Sequence, residues 1–223
     1  MTTRFLLRSP LARRAAALAL AAAALLAALA PALAAGNDAA VAAALADFQR
    51  ALGGQQSAIE PAAEQFLKLS QAEPGNPVLR AYAGAATAMR ASTTLLPWKK
   101  MSHAEDGLAL VDKALAQLTP ADDAPLYRRV PASLEVRFTA AGTFLAMPSM
   151  FNRHERGLKL LDEVAKSPLI EATPPPFKGT VWMRAGQEAA KAQRNAEARE
   201  WFQKVSASGA PQAPAAQAKL KDL

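Results

Sequence analysis

The 223-residue chain contains no cysteine. This excludes a disulfide framework, a thiolate metal site, a catalytic thiol and the lipidated cysteine that tethers some exported bacterial proteins to a membrane. The chain also lacks a G-x-S-x-G turn, a P-loop and a glycine-rich dinucleotide turn, so the scaffolds of activated-serine and nucleotide chemistry are missing. The sequence therefore assigns no catalytic residue and no cofactor, and it predicts a non-enzymatic protein.

Histidine occurs only twice, as His103 and His154. Each comes just after a predicted helix cap, and the two occupy corresponding positions in an internal repeat that is described below. If the repeat brings them together, two neutral imidazoles could hold a metal ion or a proton. A metal site takes three or four ligands, and no H-x-x-x-H or His-Glu helical pair supports one. We therefore favour solvated first-turn residues and predict no metal site. The recurring Asp112 and Asp162 are assigned to polar helix faces, and the Asp122-Asp123 pair to a solvated loop.

The first 34 residues carry four arginines and no acidic residue. After the arginines comes an apolar run from Ala15 to Ala30, and then the short segment Pro31-Ala32-Leu33-Ala34. This order is the pattern of a cleavable signal peptide over residues 1–34. A retained membrane anchor is the rival interpretation, but the run is mostly alanine and barely long enough to span a bilayer. Arg13-Arg14 allows twin-arginine export, although the usual following residues are missing, so Sec export is the default.

Charge gives little indication of a nucleic-acid partner. The formal charge of +7 falls to +3 once the four leader arginines are removed, and the remaining basic residues form no cluster with interleaved aromatics. Without a lipidated cysteine or a membrane anchor, we expect the mature chain to be soluble. The alanine-rich leader resembles those of high-GC Gram-negative bacteria and predicts the periplasm, with extracellular release as the alternative.

An internal repeat is the most informative pattern in the chain. The segment 107–114 (GLALVDKA) recurs fifty residues later as 157–164 (GLKLLDEV), within a longer helix-connector-helix unit. Amphipathic helices that repeat at this spacing indicate stacked helix pairs. Helices are predicted from the helical spacing of apolar residues, from helix caps and from breaks at Pro or Gly. The predicted ranges are 38–52, 61–73, 77–92, 102–118 and 132–147, followed by one helix before and one after 194–195, and a last helix over 214–223.

The connectors ahead of the two repeated segments are unusually apolar. We predict that 93–100 and 147–151 are non-helical, that Ser102 and Glu105 form a capping box, and that the triple proline 174–176 is a stiff spacer.

The bulky side chains of the two connectors either fold back into the core or form a recognition surface for a protein or peptide. The candidate partner-binding residues are Trp98, Lys99, Lys100, Met150, Phe151 and Arg153.

The last predicted helix pair resembles the tetratricopeptide repeat. The match covers 179–211 and is carried by Trp182, Gly186, Ala198 and Phe202, and Ala62 and Phe66 echo its second half. Alanines at 185 and 189 replace the family's usual larger residues, and the central units have longer connectors. The resemblance implies an all-α, tetratricopeptide-like solenoid of about four helix pairs over 35–223, closed by a C-terminal capping helix.

Such a fold implies a non-enzymatic exported scaffold that mediates protein–protein or protein–peptide interaction in the cell envelope. The alternative is a periplasmic binding protein that holds a small or extended ligand in a concave groove lined by Trp98, Met150, Phe151 and Trp182. An enzyme of unknown class is the third hypothesis.

Overall fold

The computed structural model describes residues 38–223, and the predicted signal peptide over 1–34 lies outside them. The chain divides after Ala46 into two compact units. Of the first unit, the structure describes the helical residues 38–46. The second unit, Asp47–Leu223, contains the candidate site. Within 38–223, no helix has the length and hydropathy needed to cross a membrane.

The described residues form an all-helical protein without a β-strand, which confirms the all-α part of the predicted fold class. Nine α-helices are present in this part of the chain, and short 3-10 turns lie between several of them. Their bounds are 38–52 (α1), Ile59–Ala72 (α2), Pro77–Met89 (α3), Pro97–Gln117 (α4), Ala132–Ala146 (α5), His154–Ala165 (α6), Pro175–Lys191 (α7), Asn195–Ala207 (α8) and Ala213–Lys221 (α9).

Local signals explain most of these boundaries. Gly54 adopts a φ of 95°, a left-handed conformation that glycine tolerates, and α1 ends just before it. The side chain of Asn76 accepts hydrogen bonds from the backbone amides of Val78 and Leu79, and Pro77 occupies the first helical position of α3. Together these features satisfy free amides at the start of α3 and fix its backbone direction.

The connector predicted over 93–100 is wrong in its second half. Helix α4 begins at Pro97, so Trp98 to Lys100 lie in its first turn, and Ser102 lies inside the helix. The Ser102 hydroxyl bonds to Asp106 Oδ2 at 3.2 Å, one turn later, instead of forming the predicted capping box. Proline at the first helical position has a fixed helical φ and needs no amide donor, and no helix breaker follows it before Ser102.

The spacer predicted for the triple proline is also wrong. Pro174 is the N-cap of α7, and Pro175 and Pro176 are its first two helical residues. Proline lacks an amide hydrogen, but the first turn of a helix has no intrahelical acceptor for one. The three prolines therefore start a helix.

Helices that follow one another along the chain pack against each other. Helix α3 packs on α4, α5 on α6, and α7 on α8, while α3 also contacts α5 and α6 contacts α7. A continuous apolar core runs from α4 to α9 and includes Phe144, Val181 and Phe202. On its other side, the rings of Phe48, Phe66 and Tyr82 contact one another with centroids 4.9–6.1 Å apart.

Glycine allows two of these helix pairs to approach closely. A Cβ atom on Gly84 of α3 would lie 2.7 Å from the carbonyl oxygen of Gly107 of α4. On Gly186 of α7, a Cβ atom would lie 2.6 Å from the ring of Phe202 of α8. Both distances are too short for a side chain, so glycine is required at these positions for the observed packing.

Candidate functional site

A cavity of about 1070 Å³ lies within the unit Asp47–Leu223. Its walls come from the end of α1, one side of each of α3, α5 and α7, the first two turns of α4 and the segment 147–151. The apolar lining residues are Phe48, Ala51, Leu52, Gly54, Ile59, Ala85, Ala88, Met89, Ala91, Pro97, Met101, Ala104, Phe138, Gly142, Ala146, Met147, Pro148, Met150, Phe151 and Met183.

Small side chains make the cavity deep. Ala85 and Ala88 of α3 and Gly142 and Ala146 of α5 form part of its wall. A Cβ atom built on Gly142 would meet no other atom within 4 Å, whereas one on Gly84 would clash with α4. The alanine- and glycine-rich stretches of α3 and α5 therefore serve two purposes, because Gly84 permits tight helix packing while Gly142 leaves open space.

Methionine is concentrated on the cavity wall. The chain has six methionines, and all except Met1 line the cavity, on α3, on α4, on α7 and in the segment after α5 (Met89, Met101, Met147, Met150 and Met183). The methionine side chain is unbranched and polarisable, so it adapts its shape to different apolar ligands. Methionine-rich surfaces are typical of sites that bind ligands or partners of variable shape.

The charged residues of the described lining are both cationic. Lys100 of α4 and Arg184 of α7 line the cavity, and no aspartate or glutamate from the described residues does so. Arg184 Nε lies 3.0 Å from Glu188 Oε1, whereas Lys100 makes no ion pair within the described part of the chain. The remaining polar lining is uncharged and consists of Gln56, Ser92, Thr139, Thr143, Thr180, Gln187 and Gln212.

Large apolar side chains are exposed beside the cavity. Leu95 is 92% exposed, Trp98 66% and Met150 65%. Met150 and Pro97 themselves line the cavity, so the apolar surface continues from the cavity wall to the outside of the protein. The interpretation of Trp98 as a plug of the core is wrong, because its indole is mostly exposed on the first turn of α4.

The six predicted partner-binding residues fall into two groups. Lys100, Met150 and Phe151 line the cavity, and Phe151 also packs against the core. Trp98 and Lys99 are exposed on the first turn of α4, outside the lining. Arg153 turns away to the α4–α6 contact, where it donates to Asp112 Oδ2 at 2.8 Å and lies 5.4 Å from the centre of the Phe144 ring.

Trp182 does not line the groove as predicted. It is 4% exposed, and its indole Nε1 donates to the carbonyl oxygen of Ala165 at 3.2 Å. The other residues assigned to the repeat core by the tetratricopeptide resemblance are also buried, namely Ala62, Phe66, Gly186, Ala198 and Phe202.

The two histidines are not equivalently placed. His154 is the first residue of α6, but His103 is the seventh residue of α4, so the prediction that both occupy first turns is wrong for His103. Within residues 38–223, no group of three or more His, Asp or Glu side chains is arranged to hold a metal ion. Asp112 joins α4 to α6 through Arg153 and Arg156, and Asp162 pairs with Lys166 one turn later.

A buried polar cluster was missed by the sequence analysis. The hydroxyl of Tyr82 on α3 donates to Glu135 Oε1 of α5 at 2.7 Å, and the guanidinium of Arg128 contacts both groups. Burial and the nearby Glu135 carboxylate raise the pKa of Tyr82 well above 10. The available signal was Glu135 itself, an acid within the mostly apolar stretch 130–136, but its partners are 53 and 7 residues away and no local pattern identifies them.

Comparisons of the chain with protein-family models, with curated proteins and with solved structures give no match.

Proposed function

We propose that this protein is an exported, non-enzymatic scaffold with a tetratricopeptide-like arrangement, and that its cavity binds an apolar segment of a protein or peptide partner. The helix pairs α3/α4, α5/α6 and α7/α8 follow one another along the chain, and the first helix of each pair lines the same cavity. In helical-repeat arrays, equivalent helices of successive units build one continuous binding face. This shared lining supports a solenoid in which the cavity is the inner face.

The observation that carries this proposal is that two apolar residues of the cavity lining, Leu52 and Met150, are themselves exposed, and that the exposed Trp98 follows the lining residue Pro97 in the chain. A contiguous apolar surface in water is characteristic of protein interaction sites. Tryptophan and methionine are enriched at such interfaces, where they bury large areas on binding. A ligand fully enclosed in the cavity would leave these outer side chains in water, whereas a protein segment would cover them.

The proposal includes the cellular location. The basic, acid-free leader and its Pro31-Ala32-Leu33-Ala34 end support export and cleavage, and we place the mature chain in the periplasm.

Site-specific photo-cross-linking in the producing cell tests the interaction. A benzophenone amino acid at Thr180, which is exposed and lines the cavity, should cross-link to a defined envelope protein. The same group at Leu126, an exposed apolar residue outside the cavity lining, should not.

A pair of charge substitutions completes this experiment. Met150→Glu should abolish the Thr180 cross-link, because a carboxylate in an apolar contact must be desolvated without a partner. Leu126→Glu is the matched control and should leave the cross-link intact. Identical cross-links from Thr180 and Leu126, or survival of the Thr180 product in Met150→Glu, would contradict the proposal.

Trp98→Ala distinguishes binding from folding at the edge of the cavity. Because the indole is mostly exposed, its loss should change the free energy of unfolding by no more than about 0.5 kcal/mol. Cross-linking at Thr180 should nevertheless weaken. A large fall in melting temperature, measured by circular dichroism, would instead assign Trp98 a role in the fold.

A small or extended ligand is the second candidate occupant. The cavity volume of about 1070 Å³ is at the upper end of ordinary ligand pockets, and its mostly apolar wall with a few polar groups is typical of them. A ligand that binds only the folded state raises the melting temperature, so a thermal-shift screen of apolar compounds tests this candidate independently of cross-linking.

A further inference from the structure

We propose that the cavity is a binding site for a long-chain carboxylate, with the hydrocarbon chain along the methionine-lined wall and the carboxylate at Lys100. This inference rests on the second candidate function, a ligand held in the cavity, and it specifies the chemical class of that ligand.

The wall of the cavity suits a hydrocarbon chain. Twenty of the twenty-nine described lining residues are apolar, so an elongated chain can lie against carbon and sulfur atoms along most of its length. The five lining methionines come from four parts of the fold, α3, α4, α7 and the segment after α5. Their flexible thioethers can close around an unbranched chain better than stiff β-branched side chains. Among the apolar residues of the described lining, Ile59 is the one that is β-branched.

The charge of the lining selects the head group. Since no described carboxylate lines the cavity, a cationic head group would find no counter-ion there, while an anionic one would meet Lys100 or Arg184. Arg184 is already paired with Glu188, which leaves Lys100 as the cation without an ion pair among the described residues. Lys100 is exposed at the edge of the cavity, so a carboxylate bound there stays partly hydrated while its chain lies inside.

Gly142 keeps part of the cavity open. It lies in the interior of α5, where glycine is less favourable than alanine by about 1 kcal/mol. No neighbour requires a glycine there, because an added Cβ meets nothing within 4 Å. A larger side chain at this position would project into the cavity, so glycine preserves open volume at a cost to the helix.

The experiment compares three amphiphiles with the same chain and different head groups. Hexadecanoate, hexadecanol and hexadecyltrimethylammonium are titrated into the purified protein below their aggregation concentrations, and binding is followed by calorimetry. We expect hexadecanoate to bind about tenfold more tightly than hexadecanol, because its carboxylate makes one charge-assisted contact with Lys100. We expect hexadecyltrimethylammonium to bind most weakly. Lys100→Gln should reduce hexadecanoate affinity to that of hexadecanol and leave hexadecanol binding unchanged.

Two glycine variants separate occupancy of the cavity from folding. Gly142→Leu should weaken hexadecanoate and hexadecanol by at least about tenfold without lowering the melting temperature. Gly75→Leu is the matched control, because Gly75 also has no atom within 4 Å of an added Cβ but lies outside the cavity lining. It should bind all three amphiphiles as the unmodified protein does.

The unfavourable outcomes are distinct. Equal binding of all three head groups would overturn the assignment of the carboxylate but keep the cavity as a ligand site. Absence of binding by any amphiphile, together with a specific cross-link at Thr180, would overturn this inference and retain the protein-binding function. Preferential binding of an acidic amphipathic peptide over hexadecanoate would likewise assign the cavity to a peptide.

Discussion

At the scale of single residues, the most specific interaction is the buried contact among Tyr82, Arg128 and Glu135. Glu135 is 1% exposed, and a carboxylate so deeply buried requires a counter-ion and donors. Arg128 supplies the charge from a left-handed backbone conformation with a φ of 52°, which costs energy for a residue other than glycine. Three residues from α3, α5 and the preceding loop thus hold one another in place.

The raised pKa of Tyr82 predicts a particular alkaline dependence of stability. In the unfolded chain Tyr82 ionises near pH 10, but in the folded protein it keeps its proton at higher pH. The folded state then binds more protons than the unfolded state, so its contribution to stability is complete below pH 10 and is lost as pH rises above it.

Tyr82→Phe tests this dependence. The variant should be less stable than the unmodified protein by about 1–2 kcal/mol at neutral pH, because Glu135 loses a donor. Above pH 10 the difference should shrink, since phenylalanine has no proton to lose. Urea unfolding of both proteins at neutral and alkaline pH measures the difference, and a gap that stays constant or widens above pH 10 would refute the prediction.

At the scale of helices, glycines at similar places in the two repeated units have opposite functions. Gly84 in α3 lies against the backbone of α4, while Gly142 in α5 faces open space in the cavity. The two small-residue stretches look alike in the sequence, and both favour close helix packing. Only the neighbouring helix distinguishes a packing glycine from a cavity glycine.

Alanine substitutions at these two glycines should change stability in opposite directions. Gly84→Ala gains helix propensity, but its Cβ would lie 2.7 Å from the Gly107 carbonyl oxygen, so we expect a net loss of about 1–3 kcal/mol. Gly142→Ala meets no neighbour and should gain up to about 1 kcal/mol. Chemical denaturation of both variants measures the free energies. A gain for Gly84→Ala would contradict the described α3–α4 packing, and a loss for Gly142→Ala would contradict the open space at that position.

At the scale of the whole molecule, α9 is part of the packed core of the unit Asp47–Leu223. Ala216 is fully buried, and Leu220 and Leu223 pack against the core that extends from α4. Gln212, just before α9, donates to the hydroxyl of Thr180 at 2.8 Å. Both residues line the cavity, so the end of the chain also helps to form its wall. These contacts support the proposed role of α9 as a capping helix.

Two neighbouring alanines of α9 test this role. Ala216→Glu places a carboxylate in the core and should destabilise the protein by about 3 kcal/mol or more. Ala215→Glu adds the same side chain on the exposed face of the same helix and should change stability by less than about 0.5 kcal/mol. Thermal unfolding of both proteins gives the comparison, and equal melting temperatures would mean that α9 is not docked on the core.

The helical class and most helix ends follow from local patterns in the sequence. Apolar residues recur every three or four positions, and the local breaks at Gly53-Gly54, at Pro74 to Pro77 and near Arg194 lie where helices end or begin. These signals act within one or two turns of the chain, so they can be read without knowing the fold. The predictions for the starts of α4 and α7 are wrong because proline both interrupts and initiates helices, and a sequence pattern alone does not decide between the two.

The candidate site forms only when the helices pack. Lys100, Met150 and Phe151 belong to the predicted apolar connectors, but Met89, Met101, Met183 and Arg184 lie on three different helices and are brought together by packing. The contact between Tyr82 and Glu135 likewise joins positions 53 residues apart. Helix periodicity shows that a side chain lies on a given face of its own helix, whereas the partner of that face depends on how the helices stack. The chemistry of the cavity is therefore a property of the assembled helices.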